Sequence, residues 1–237
     1  ASITIVCRDS TTLRGIPNTV WTVQETGQGA AQGTVSTGLK TNEAGIAYVS
    51  NLTPGTYILQ QTAVADGYMQ KLATSTVVIT YNDSHIVETL YNTPLGSITV
   101  NVADSVKGTP LAGTKLSLYD SNNKLVQGPV TVDPDGSVTF SEVPDGNYQV
   151  IATAPDGFTM DVTSLFTSVT GGNKQQISFT ATEKGTIVIA SIDASTPSVY
   201  MPGTSFKVYR MDGTQVGNEV TTGADGTVML TSLDSGY

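Results

Sequence analysis

The sequence predicts an all-β chain of tandem antiparallel β-sandwiches, the last of them incomplete. Three observations predict it: a composition suited to strands and turns, four sequence anchors that recur three times in one order, and apolar residues that alternate with period two inside each copy. Only 13% of the 237 residues are charged, and Thr, Ser and 24 glycines supply much of the polar share. Thr with Val and Ile suits the pleated surface of a strand, whereas Gly beside Asn or Asp suits tight turns. Scarce Lys and Glu leave little to build helices with.

The elements follow in order. Ser2-Ile3-Thr4-Ile5 reads as a first strand and returns as Ser97-Ile98-Thr99-Val100 and Thr186-Ile187-Val188-Ile189, trailed by Asp9, Asp104 and Asp193. In the second strand Thr19, Trp21 and Val23 share one face against Val20 and Thr22. Thr114, Leu116 and Leu118 repeat this against Lys115 and Ser117, and Thr204 to Val208 is the third copy. Alternation of this kind marks a strand with one buried face. A glycine turn (Asn42 to Gly45, Asp133 to Gly136, Gly223 to Gly226) opens onto the next short strand. The fourth anchor is Leu52-Thr53-Pro54-Gly55-Thr56-Tyr57, echoed by Val143 to Tyr148 and by Leu233 to Tyr237. The period is roughly 90 residues, enough for a small core between two sheets.

These anchors divide the chain into residues 1–95, 96–184 and 185–237. The second copy carries a further alternating strand, Gln176 to Thr180, that has no counterpart after Tyr237, so the third module reads as partial. Either the sequence is a stretch of a longer repeat protein, or a strand from another chain completes the open sheet, as unpaired edges invite. Asp161 to Phe166 reads as a short helical turn or a loop.

A net charge of −9 argues against a nucleic-acid partner, which needs a dense basic face, and against a polybasic membrane surface. No run of about 18 apolar residues is present to cross a bilayer. One cysteine, Cys7, and one histidine, His85, exclude an intrachain disulfide framework and a Cys/His zinc site. Cys7 reads as a buried packing residue, with an interchain disulfide or a Cys7–Gln61 thioester as alternatives, and His85 reads as a surface residue. Asp133, Asp135 and Asp145 invite a calcium reading but sit in ordinary turn formers. Trp21, Tyr48, Tyr57, Tyr148, Phe206 and Tyr237 fall at anchors and are expected to pack in cores or corners. With no phosphate loop, nucleophile elbow or paired carboxylates, neither enzymatic activity, nor a cofactor, nor a metal is expected.

The run from Gly96 to Phe158, with Pro110-Leu111-Ala112-Gly113-Thr114-Lys115-Leu116, Val143-Pro144-Asp145-Gly146-Asn147-Tyr148 and Ala154-Pro155-Asp156-Gly157-Phe158, resembles the Cna-B or SpaA-type domain. The resemblance implies transthyretin-like (prealbumin-like, Ig-like) sandwiches of the kind found in bacterial surface proteins, Gram-positive pilins and adhesin stalks. The anchors are similar to carboxypeptidase regulatory-like domains as well. Many members of the family join a first-strand lysine to a last-strand asparagine in an isopeptide bond, assisted by a buried acid. Burial makes the lysine a neutral nucleophile and the acid polarises the amide. Carried over, the lysine, acid and asparagine positions are Cys7, Gln61 and Asn92 in the first module and Val102, Ala152 and Ala181 in the second; Ser191 opens the third. None has the lysine or the acid, so no isopeptide bond is expected in either complete module, and Asn92 is expected to persist as a hydrogen-bonded turn residue.

The resemblance implies an extracellular structural protein of the bacterial cell surface, cell wall or fimbrium: the shaft of a pilus or filament, or the stalk of an adhesin. Its partners would be other copies of itself, with strand complementation of the third module as one route. Short linkers, Thr93 to Gly96 and Thr182 to Gly185, would limit bending between modules. The rivals are an adhesin module that binds a host matrix protein or glycan through loops, and a virion decoration or fibre protein on the same fold.

Overall fold

The computed structural model describes residues 1–26, 33–69 and 73–234. The first repeat contains β1 (Ile3–Asp9), β2 (Val20–Thr26), β3 (Gly33–Lys40), β4 (Ile46–Val49), β5 (Gly55–Ala63), β6 (Thr74–Ile79) and β7 (Ile86–Asn92). The second contains β8 (Gly96–Asp104), β9 (Lys115–Asp120), β10 (Leu125–Thr131), β11 (Ser137–Val143), β12 (Gly146–Thr153), β13 (Phe158–Met160), β14 (Ser164–Val169) and β15 (Lys174–Glu183). The third contains β16 (Gly185–Ala190), β17 (Ser205–Tyr209), β18 (Gln215–Thr221) and β19 (Thr227–Leu233). No helix occurs among the described residues.

In the first repeat a sheet ordered β4-β1-β7 packs on one ordered β3-β2-β5-β6, and in the second β11-β8-β15-β13 packs on β10-β9-β12-β14. The sheets are not wholly antiparallel. β7 lies parallel to β1 from Ile3↔Ile86 to Asp9↔Asn92, and β15 lies parallel to β8 from Ser97↔Lys174 to Asp104↔Ala181. A parallel pair needs a crossover; here the chain leaves the first strand, builds the facing sheet and returns from that sheet's edge strand, β6 or β14.

Inward residues alternate as the pattern requires. Ile3, Ile5, Trp21, Val23, Tyr57 and Leu59 fill one core, and Ile98, Val100, Leu116, Leu118, Phe140 and Phe179 belong to a separate one. The glycine turns admit no side chain. Gly136 holds φ +77°, and a Cβ there would come 2.8 Å from the Val102 carbonyl oxygen. Asp161 to Thr163 is irregular, in keeping with the loop reading, but Ser164 to Phe166 corrects it, because Ser164–Val169 is the edge strand β14, paired with β12 from Gly146↔Val169 to Ile151↔Ser164. Its alternation was masked by Phe166, which points outward.

In the third repeat β16 pairs with β19 and β17 with β18. By register these match β8–β11 and β9–β10. Among the described residues nothing occupies the place of β15 beside β16 or of β12 beside β17. Among the described residues Leu230 is the third repeat's only buried apolar side chain.

Candidate functional site

β1 turns Cys7 to the core, β5 carries Gln61, and β7 ends on Asn92; all three are buried. The Trp21 Nε1–H donates to Cys7 Sγ at 3.2 Å. Gln61 Nε2 donates to Asn92 Oδ1 at 3.1 Å and Asn92 Nδ2 donates to Gln61 Oε1 at 3.0 Å, so the two carboxamides satisfy one another. The Ala73 N–H also reaches Gln61 Oε1, at 3.4 Å. Asn92 is therefore the last residue of a strand with its side chain buried, rather than a turn residue. Burial pushes the Cys7 thiol up despite hydrogen bonds from Thr19 and Trp21. A protonated thiol is a poor nucleophile, and both carboxamides are neutral.

The second repeat places Val102, Ala152 and Ala181 on the matching strands, all buried in one apolar cluster. Ser191 is half-buried in the third and its Oγ accepts from Thr204 Oγ1 at 3.0 Å. The three sets thus hold a polar pair with a thiol, an all-apolar filling, and a lone hydroxyl.

The recurring aspartate proves to be part of the same end of each sandwich. Asp9 Oδ1 accepts the Thr11 and Thr12 N–H groups at 2.7 and 2.8 Å, and Oδ2 accepts the Tyr68 hydroxyl at 3.0 Å. Burial raises the Asp9 carboxyl, but these bonds together outweigh it and hold the group below the ordinary carboxylate range. Burial, then the bond and charge of Asp9, push Tyr68 up to about 12. Asp104 accepts the Lys107 and Val106 N–H groups, and Asp193 accepts from Ser195 and Thr196; both are likewise lowered. Unlike the aspartates, Tyr68 does not stand out as a recurring anchor in the sequence; its signal is the shared Asp-Gly-aromatic turn, Asp66-Gly67-Tyr68 and Asp156-Gly157-Phe158.

Tyr57 and Tyr148 are buried corner residues whose hydroxyls donate to the Thr53 and Pro144 carbonyls at 2.9 and 2.7 Å. Trp21 is buried and Phe206 half-buried, whereas Tyr48, 53% exposed, stands on the outer face of its sheet and is not a core residue. Tyr237 lies outside the described residues. His85 is exposed, with Ser2 Oγ at 2.8 Å from Nδ1 and Thr4 Oγ1 at 3.3 Å from Nε2. Asp135 accepts the Ser137 N–H and hydroxyl, Asp145 accepts the Gly172 N–H at 3.4 Å, and the Asp133 carbonyl closes the turn from Gly136 N–H. Among the described residues no group of three His, Cys, Asp or Glu is placed to hold a metal ion, and no helix is long and apolar enough to cross a membrane.

Among the described residues a groove of about 400 Å³ lies between the two sheets of the third repeat, lined in part by Ile187, Val208, Tyr209, Met211, Val216 and Leu233.

Residues 1–94 and 96–185 each match the family described as SpaA, prealbumin-like fold domain. Colossin-A of Dictyostelium discoideum is 28% identical over 131 residues, 47% of this chain and 1% of Colossin-A. Among solved structures, the Bacillus anthracis TIE protein aligns over 97% of this chain and 42% of its own at 19% identity and TM-score 0.44. BcpA, the major pilin subunit of Bacillus cereus, aligns over 98% and 85% at 12% identity and TM-score 0.46. The shaft pilin SpaA from Lactobacillus rhamnosus GG aligns over 78% and 97% at 12% identity and TM-score 0.45. The chain thus spans less than half of the TIE protein chain and a very small part of Colossin-A.

Proposed function

Because the chain belongs to the SpaA family of prealbumin-like fold domains, we propose that it is an extracellular load-bearing repeat protein of a bacterial surface, the shaft of a pilus or the stalk of an adhesin, assembling with other copies of itself. Its units are residues 1–95, 96–184 and 185–237, and its role is mechanical, with no reaction to perform. One observation carries the reading. In each complete repeat the first and last strands are parallel neighbours, β1 with β7 and β8 with β15. Tension along the chain pulls the start of one strand against the end of the other, so all the ladder bonds are loaded in shear together.

Neither complete repeat carries an isopeptide bond in this reading, since Cys7 and Val102 stand where a lysine would be and Gln61 and Ala152 stand where the acid would be. Strand complementation of the third repeat, with one strand beside β16 and another beside β17, is one mode of assembly in this reading.

Stretching the chain by its two ends tests this. Two high-force rupture events are expected, each releasing roughly 300 Å as a repeat of about 90 residues extends. Rupture at low force would refute the load-bearing role. A missing release with a mass deficit of about 17 Da, the ammonia lost in amide exchange, would refute the absence of the cross-link.

A further inference from the structure

The two junctions between repeats carry different side chains at the same three places. By register, Tyr68 opposite Pro94 matches Phe158 opposite Glu183, and Gly96 opposite Val143 matches Gly185 opposite Leu233. Met69, Leu95 and Pro144 therefore stand at the first junction where Thr159, Lys184 and Asp234 stand at the second. Three apolar residues are exchanged for a hydroxyl, a cation and a carboxylate.

Different bonds cross the two junctions as well. At the first, the Thr11 hydroxyl of the first repeat donates to the Gly171 carbonyl of the second at 3.1 Å. Pro94 lies so close to Gly172 that a Cβ there would come 2.6 Å from the proline Cγ. None of these four groups titrates. At the second junction the Thr159 hydroxyl donates to Asp234 Oδ1 of the third repeat at 2.7 Å, and Lys184 Nζ stands 3.6 Å from the same oxygen. Asp161 and Glu183 line the same polar hollow. Asp161 accepts the Thr180 and Thr182 hydroxyls, and Glu183 pairs with Lys107, all within the second repeat. Asp234 is the carboxylate of the hollow that bonds across the junction, and Lys184 and Arg210 are the cations whose charge reaches it.

We propose that Asp234 is a charge-operated latch: ionised, it holds the third repeat against the second, and neutralised, it lets the two swing about the linker between them. The first junction lacks this control. The inference does not depend on the mechanical role proposed above. The Thr159 bond, then the Lys184 charge, hold the Asp234 carboxyl below the ordinary carboxylate range. A carboxyl lowered on docking favours the docked state above its free pKa, and that preference is lost as the pH falls through the docked one. An exposed pair of this kind shifts a ratio of two states by up to about fivefold.

Distance distributions between nitroxide labels on the whole 237-residue chain test the latch. Gln176→Cys with Asn218→Cys reports the second junction and Thr89→Cys with Gln176→Cys the first; all are exposed positions, and the native Cys7 is buried. At neutral pH and low salt the second junction should give a narrow distribution. Asp234→Asn at neutral pH, or acid below the carboxylate range in the parent, should each raise the ratio of broad to narrow component by up to about fivefold. In Asp234→Asn, acid should add nothing further. Thr11 is itself held by the Asp9 carboxylate, so the two junctions are compared by salt. Shortening the Debye length from ~30 to ~3 Å between ~0.01 and ~1 M salt should broaden the second distribution and leave the first unchanged. A parent already broad at neutral pH, an Asp234→Asn chain as narrow as the parent, an acid response that survives in that variant, or an equal salt response at both junctions overturns the latch. Thermal melts confirm that the third repeat stays folded; should Asp234→Asn melt early, Lys184→Gln removes the other charge and repeats the test.

Discussion

Gln61 and Asn92 face one another in the first core as a closed pair of carboxamides, each giving and taking one hydrogen bond. Removing one partner strands a buried amide, which costs about 1–3 kcal/mol. Gln61→Leu or Asn92→Leu should therefore each lower the urea midpoint of the first repeat. The double replacement should lose less than the sum of the two, with a coupling on the order of 0.5–3 kcal/mol in a double-mutant cycle. Asp9 sets a pH dependence beside them. Its folded carboxyl sits lower than in the unfolded chain, so its stabilisation is complete above the unfolded value and disappears as the pH falls through the folded one. Tyr68 acts at the other extreme. Raised to about 12, it stabilises while neutral, fully below the ordinary tyrosine pKa of about 10, and this is lost as the pH rises through 12. Urea melts across the pH range should show Asp9→Asn flattening the acid limb and Tyr68→Phe flattening the alkaline limb.

At the scale of the element, both linkers are tied down by the same device. The Leu95 N–H donates to the Gly67 carbonyl at 2.8 Å, and the Lys184 N–H donates to the Gly157 carbonyl at 2.7 Å. Each acceptor lies in the Asp-Gly turn that precedes Tyr68 or Phe158, so the aspartate–glycine turn clamps the strand leaving its own repeat. Proline lacks the N–H to make this bond. Leu95→Pro should loosen the first junction while both repeats melt as before, seen as separate rotational correlation times for the two in ¹⁵N relaxation. The alternation, the glycine turns and the recurring aspartates were legible in the sequence because they are local and period-two. What was not legible depends on partners. The parallel setting of β7 against β1 comes from the crossover, β14 hid behind an outward Phe166, and Tyr48 faces solvent because the register places it opposite Thr4, on the outer side. The site positions Cys7, Gln61 and Asn92 were named from a family pattern; only the juxtaposition of β5 with β7 makes a reciprocal bond of two of them.

For the whole molecule, the direction of force decides its resistance. Pulled from the chain ends, the second repeat loads its eight register pairs, Ser97↔Lys174 to Asp104↔Ala181, at once. Pulled from Ser97 and Lys174, which are register partners at one end of that ladder, the same strands open one pair at a time. Attachment through Ser97→Cys and Lys174→Cys, in a background where Cys7 is already buried and shielded, compares the two geometries on one fold. The rupture force should fall several-fold in the second geometry although the equilibrium stability of the repeat is unchanged, because a bond opened singly bears the load alone while bonds in shear share it. Equal forces in both geometries would mean that core packing, not the parallel ladder, resists extension, and would remove the physical ground on which a stalk or shaft role rests.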